Sequence, residues 1–121
     1  METKTIEKRI ERIKQELQKI GPMRPGSLSK QYSACTKAGC KCVDPENPQK
    51  HGPYYQLSYV HKGKSTTRFI RPPFVREIKR QLANYKKFKK LTQEWVNLAM
   101  LQATMQLDAL RKKQSKLLLM N

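Results

Sequence analysis

The chain has 121 residues, a net charge of +17 and a hydrophobic fraction of 37%. This length suits one domain, and no apolar run approaches the roughly 20 residues that a membrane span needs. The charged N-terminus lacks the apolar stretch of a secretory signal, so we expect a cytoplasmic protein that does not insert into membranes. In a reducing compartment, clustered cysteines are more often metal ligands than disulfides.

Residues 1–20 predict an amphipathic helix that begins near residue 3 and ends before Gly21-Pro22. Its apolar residues alternate four- and three-residue spacing, which is the seam of a coiled coil. A helix of this length is marginal alone in water, so the seam needs a partner within the chain or from another copy. The seam consists of Ile6, Ile10, Ile13, Leu17 and Ile20.

Residues 21–53 predict a loop, rich in proline and glycine, that contains all three cysteines. Cys35, Cys40 and Cys42 fall within eight residues, and His51 follows nine residues later. Three thiolates and one imidazole form a complete tetrahedral ligand set for zinc. Such a set leaves no open position for water, so we expect one structural Zn²⁺ per chain rather than a catalytic one.

The sequence offers more than one candidate for the fourth metal ligand. Asp44 and His61 are alternatives to His51. An iron–sulfur cluster would require a fourth cysteine, which the chain lacks. Exposed or half-buried free thiols are the alternative to any metal site.

Residues 54–70 predict a β-hairpin with its turn at residues 61–64, where Gly63 is free to take a positive φ. Alternation places Tyr55, Leu57 and Tyr59 on one face, which we interpret as the core face of the hairpin. The cations at the turn and on the return strand are candidates for phosphate contact.

Residues 72–121 predict one long helix, because Pro72-Pro73 suits a first turn and no glycine or proline follows Phe74. The apolar spacing changes around Phe88, so we expect a bend or a change of packing partner near residues 84–91. The first helix is too short to cover the whole apolar stripe, which favours self-association or docking on a larger partner. The candidate assembly residues here are Leu91, Trp95, Leu98 and Met105.

The charge is concentrated in residues 21–90, which hold sixteen Lys/Arg against three acids. Such a block favours a polyanionic partner, nucleic acid first. The contacts that we predict are Lys37, Lys41, Lys50, Tyr54, Lys62, Lys64, Arg68, Arg71, Arg76, Lys79, Arg80, Lys86, Lys87 and Lys90. Solvated charge on the helix is the alternative for the last six.

No catalytic constellation stands out. The chain has no glycine-rich phosphate loop and no carboxylate pair in its central region. We therefore predict a non-enzymatic protein.

One combination of motifs resembles a small uncharacterised prokaryotic family. It comprises Gly26-Ser27-Leu28-Ser29-x-Gln31-Tyr32, the Cys-x4-Cys-x-Cys cluster, His51-Gly52-Pro53-Tyr54-Tyr55-x-Leu57 and Gly63-Lys64. Members of that family are short basic proteins often associated with mobile elements and transposase genes. The resemblance implies a shared fold and metal site, and a DNA or RNA partner handled by a mobile element.

Together these patterns predict an α+β protein with an N-terminal helix, a zinc-stapled loop and hairpin, and a long C-terminal helix, as one structural unit. The function we expect is nucleic-acid binding by an accessory or architectural protein of a mobile-element or phage system. The alternative is a protein-interaction module, in which the helices form an oligomeric scaffold or the chain docks on an acidic surface of a larger enzyme. The sequence does not separate DNA from RNA.

Overall fold

The computed structural model describes residues 2–33 and 51–120, and it has the predicted α+β architecture. Helix α1 spans Thr3–Gln18, and three strands follow: β1 Ser27–Ser33, β2 His51–His61 and β3 Lys64–Ile70. A single 3₁₀ turn at Pro72–Phe74 leads into helix α2, Val75–Met120. The N-terminal helix, the hairpin and the long C-terminal helix are therefore confirmed.

The contacts divide the chain into two compact units. Residues 1–21 and 86–121 form the helical unit, and residues 22–85 form the sheet unit. Helix α2 contributes its first turns to the sheet unit and the remainder to the helical unit. The expected change of packing partner near residues 84–91 is thus confirmed, and α2 runs without interruption through it, over about 69 Å.

In the helical unit, α1 packs antiparallel to the second part of α2. Ile13 lines a groove with Leu98, whereas Ile6 lines another with Met105. Ile6, Ile10 and Ile13 are buried, so their partner lies within the chain itself. Lys14 adds a cation–π contact, with its Nζ 5.3 Å from the centre of the Trp95 ring.

The sheet has three antiparallel strands in the order β1-β2-β3, one more than the predicted hairpin. Strand β1 lies in the segment that the sequence predicted as loop, and β2 begins within the same segment. That prediction was therefore wrong for residues 27–33 and 51–53. Strand β1 pairs along β2 from Ser27 opposite Ser58 to Ser33 opposite His51. Leu57 on the central strand is fully buried and is flanked in register by Leu28 and Arg68.

The connection from α1 to the sheet is fixed to the first turns of α2. The Arg24 backbone N–H donates to the Gln81 carbonyl at 3.2 Å, and its Nε donates to Gln81 Oε1 at 2.8 Å. Asn84 Nδ2 donates to the Pro22 carbonyl at 2.9 Å. These bonds hold a proline-rich segment that has no regular structure of its own.

Gly26 lies directly before β1, at a position that only glycine fits. Its φ is +126°, and a Cβ placed there would lie 2.7 Å from the Ser58 carbonyl oxygen. A side chain would meet both an unfavourable backbone conformation and main-chain atoms that cannot move aside. This residue therefore fixes how β1 begins beside β2.

Candidate nucleic-acid interface and metal loop

The hairpin tip carries two of the predicted phosphate contacts. Strands β2 and β3 are joined by Lys62 and Gly63, whose φ angles of 52° and 76° are both positive, as a two-residue turn of this type requires. The sequence indicated the conformation of Gly63 but not that of Lys62. Both Lys62 and Lys64 are exposed, so the turn presents two cations at the end of the sheet.

Further cations of the sheet unit lie on β3, after it, and on the first turns of α2. Arg68, Arg71, Arg76, Lys79 and Arg80 are all exposed. Among the described residues 22–33 and 51–85 there are nine Lys/Arg and a single acid. That acid, Glu77, forms an ion pair with Arg80 at 2.7 Å. One carboxylate cannot neutralise nine cations, so this unit has a strongly positive surface.

The helical unit presents a second group of predicted contacts at the start of its part of α2. Lys86, Lys87 and Lys90 are exposed and recur at a spacing that places them on one side of the helix. The sheet unit and the helical unit therefore each carry predicted cationic contacts on the surface.

The two faces of the sheet differ in character. Tyr55, Leu57 and Tyr59 are buried or half-buried, whereas Tyr54, Ser58 and Val60 between and beside them are exposed, which confirms the predicted core face. The opposite face is formed by the residues between them and by their register partners on β1 and β3. We call this the neutral face, because none of its described residues carries a charge. It consists of Ser27, Ser29, Gln31, Tyr54, Gln56, Ser58, Val60, Ser65, Thr67 and Phe69.

Local hydrogen bonds support this assignment of the neutral face. The hydroxyl oxygens of Ser58 and Thr67 lie 3.4 Å apart across the β2–β3 pair. On β1, Gln31 Nε2 donates to Ser29 Oγ, also at 3.4 Å. Sequence reasoning selected Tyr54 on this face but missed Phe69, the more exposed ring. The signal was available, since Phe69 alternates with the inward-facing Ile70 on the predicted return strand.

The segment that carries the cysteines begins and ends at neighbouring points of the sheet. The chain leaves β1 at Ser33 and enters β2 at His51, and these two residues are register partners. Cys35, Cys40 and Cys42, the alternative ligand Asp44, and the predicted contacts Lys37, Lys41 and Lys50 lie outside the described residues. Within the described ranges, no group of three His, Cys, Asp or Glu is arranged to hold a metal.

The two histidines differ in their relation to this segment. His51 is half-buried at the start of β2, where the segment closes. His61 is exposed at the far end of the same strand, about 33 Å away at the usual rise per residue. This placement favours His51 over His61 as the ligand that would complete the thiolate set.

Within the described ranges, no helix has both the length and the apolar character to cross a membrane.

The comparisons found no match among curated proteins and none among solved structures. A family model described as a domain of unknown function, DUF6788, matches residues 3–80, which include α1, all three strands and the start of α2. The chain therefore belongs to this family of uncharacterised domains.

Proposed function

We propose that the chain is a non-catalytic nucleic-acid-binding protein whose contact surface is centred on the sheet unit. The observation that carries the proposal is the excess of cations in that unit's described residues: nine Lys/Arg, eight of them exposed, against one acid. A solvated protein surface usually mixes both signs of charge, whereas a surface that neutralises phosphates does not need acids.

The geometry of the hairpin supports the same function. The two-residue turn presents Lys62, and Lys64 is the first residue of β3 beside it. Arg71 follows β3 directly and is exposed. Cations at both ends of a short hairpin can contact phosphates along one strand of a nucleic acid.

A structural zinc ion is part of the proposal. The donor set of Cys35, Cys40, Cys42 and His51 has the chemistry that zinc prefers, and it leaves no open coordination position. His51 lies where the cysteine-containing segment returns to the sheet. When bound, the ion would tie that segment to the start of β2 and so fix a part of the chain that has few apolar residues to pack.

We place the protein in a mobile-element or phage system, as an accessory or architectural component in the cytoplasm. This part rests on the resemblance of its motifs to short basic proteins associated with transposase genes.

A second candidate function, protein interaction through the helices, is favoured by the end of α2. Thr3, the first residue of α1, lines a groove with Ala109, so α1 covers α2 only to about that point. Beyond it, several large apolar side chains are more than half exposed: Leu110, Leu117, Leu118, Leu119 and Met120. This end is suited to bind a second copy or a larger protein, and it is compatible with nucleic-acid binding elsewhere.

The test of the main proposal is the salt dependence of binding to random-sequence RNA and DNA. We expect the association constant of the full chain to fall steeply and linearly with salt on logarithmic axes, because each phosphate contact releases counterions. Binding that is absent at low salt, or that does not change with salt, would contradict the proposal. Loss of the exposed helix end, by truncation before Leu117, is expected to leave this slope unchanged.

A further inference from the structure

The neutral face is unusual for its setting. The chain has a net charge of +17, yet the ten described residues of this face are serine, threonine, glutamine, tyrosine, valine and phenylalanine. The cations of the sheet unit lie outside it: before β1, on the turn, on the opposite face, and beyond the end of β3. The face is therefore suited to a ligand that is uncharged at its centre and negatively charged at its margins.

Two aromatic rings are exposed on this face. Phe69 is 75% exposed and Tyr54 is 43% exposed. Phe69 lies opposite Gln56 in the register, so Tyr54, two residues before Gln56, is its diagonal neighbour across the pair. Diagonal neighbours on a sheet are about 7–8 Å apart, within reach of two rings or of two consecutive bases.

A groove of about 350 Å³ joins these rings to a cation. Its lining includes Tyr54, Phe69 and Arg71. A guanidinium beside two exposed rings provides a phosphate contact next to two stacking surfaces. At the other end of the hairpin, Lys62 provides a second cation near Val60 and Ser65.

We propose that the neutral face binds the unpaired bases of a single-stranded nucleic acid, which stack on Phe69 and Tyr54 while Arg71 and Lys62 contact the phosphates. Bases are uncharged, have π-faces, and carry edges that serine, threonine and glutamine can hydrogen-bond. In a duplex the π-faces are already stacked, so the face selects single strands. A second copy of the chain is a poor occupant, because it would bring like charge to the same margins.

This inference deepens the proposed function and rests on it. The experiment compares two fluorescein-labelled single strands of equal length, an oligothymidylate and an abasic strand with the same number of phosphates, by fluorescence anisotropy. We expect the full chain to bind the oligothymidylate more tightly. Phe69→Ala should weaken that binding by about fivefold to 150-fold and leave binding to the abasic strand unchanged.

Two matched variants test whether the effect of Phe69→Ala is due to the loss of the aromatic ring at this position. Val96→Ala removes an aliphatic side chain of similar exposure, 55%, from α2 in the helical unit, outside the neutral face, and should not alter either affinity. Phe69→Tyr keeps an aromatic ring and should retain tight binding. Because both substituted positions are more than half exposed, all three variants should have the circular dichroism spectrum and the melting temperature of the parent chain.

The outcomes separate this inference from the proposed function. Equal affinity for both strands, with no effect of Phe69→Ala, would overturn the inference and leave phosphate binding intact. If Phe69→Ala changed the oligomeric state of the protein in solution but not its affinity for either strand, the face would be assigned to self-association. That result would also overturn the inference. Failure to bind either strand at low salt would contradict both proposals.

Discussion

Removing three cations from the hairpin is expected to weaken nucleic-acid binding in a salt-dependent way. The variant replaces Lys62, Lys64 and Arg68 with glutamine, and all three side chains are exposed on the turn or on β3. It lowers the net charge from +17 to +14. Since the three side chains are exposed, the sheet should keep its stability.

The size of the effect follows from the number of phosphate contacts removed. For a single strand, the slope of log K against log salt falls by about 0.7 per contact, so three contacts reduce it by about 2. At about 0.1 M salt this corresponds to a roughly 100-fold loss of affinity. Titrations of a labelled single strand at several salt concentrations measure both quantities.

A charge-matched control separates local contact from net charge. Replacing Lys112, Lys113 and Lys116 with glutamine removes the same charge from exposed positions near the end of α2, in the helical unit. We expect this triple variant to keep most of the slope. Equal losses in the two triple variants would refute the assignment of the hairpin as a contact surface.

Three further predictions concern the fold and the metal. Gly26→Ala should destabilise the chain by about 3 kcal/mol or more, because it adds a clash with the main chain to the cost of a positive φ. Gly63 also has a positive φ, but a Cβ added there would have no other atom within 4 Å, so Gly63→Ala should cost only about 1–2 kcal/mol. Similar denaturant midpoints for the two glycine variants would contradict this reasoning. Ile6→Ala should cost about 2–4 kcal/mol since Ile6 is fully buried, whereas Val96→Ala at a 55% exposed position should be nearly neutral in the same thermal melts. Purified protein should contain about one zinc per chain by elemental analysis, and Cys40→Ser should lose it; metal-free parent protein with an intact sheet would refute the zinc site.

The helices could be predicted from sequence because their signals are local and strong. The spacing of five apolar residues predicts one buried seam. Ile6, Ile10 and Ile13 are buried, whereas Leu17 and Ile20 are half-buried. The change of spacing at Phe88 marks where α2 changes its packing partner. The break in periodicity was therefore informative, although α2 itself continues through it.

Strand β1 could not be predicted in the same way. Residues 27–33 alternate Leu28 and Tyr32 with serine and glutamine, but they follow a proline–glycine pair and contain few strong strand formers. The strand exists because β2 offers an edge and because Gly26 permits a close approach to Ser58. Both conditions are long-range, so propensity alone does not reveal them.

The candidate site was only partly visible from sequence. Clusters of Lys and Arg can be counted directly in the sequence, and the predicted contacts among the described residues are exposed. The neutral face emerges only when the register of all three strands is known, since it combines Ser29, Gln56 and Phe69 from separate segments. Strand β1, which was not predicted from the sequence, supplies three of the ten residues of the neutral face.

The central claim, that the sheet unit is the nucleic-acid surface, is tested most directly by ultraviolet cross-linking. The full chain would be purified without nuclease, irradiated, digested and mapped by mass spectrometry, so that nucleic acid that co-purifies reports its own contacts. We predict cross-linked peptides within residues 54–71, with Tyr54 and Phe69 among the modified positions. Absence of co-purifying nucleic acid together with absence of added-strand cross-links, or cross-links confined to residues 110–120, would contradict the claim.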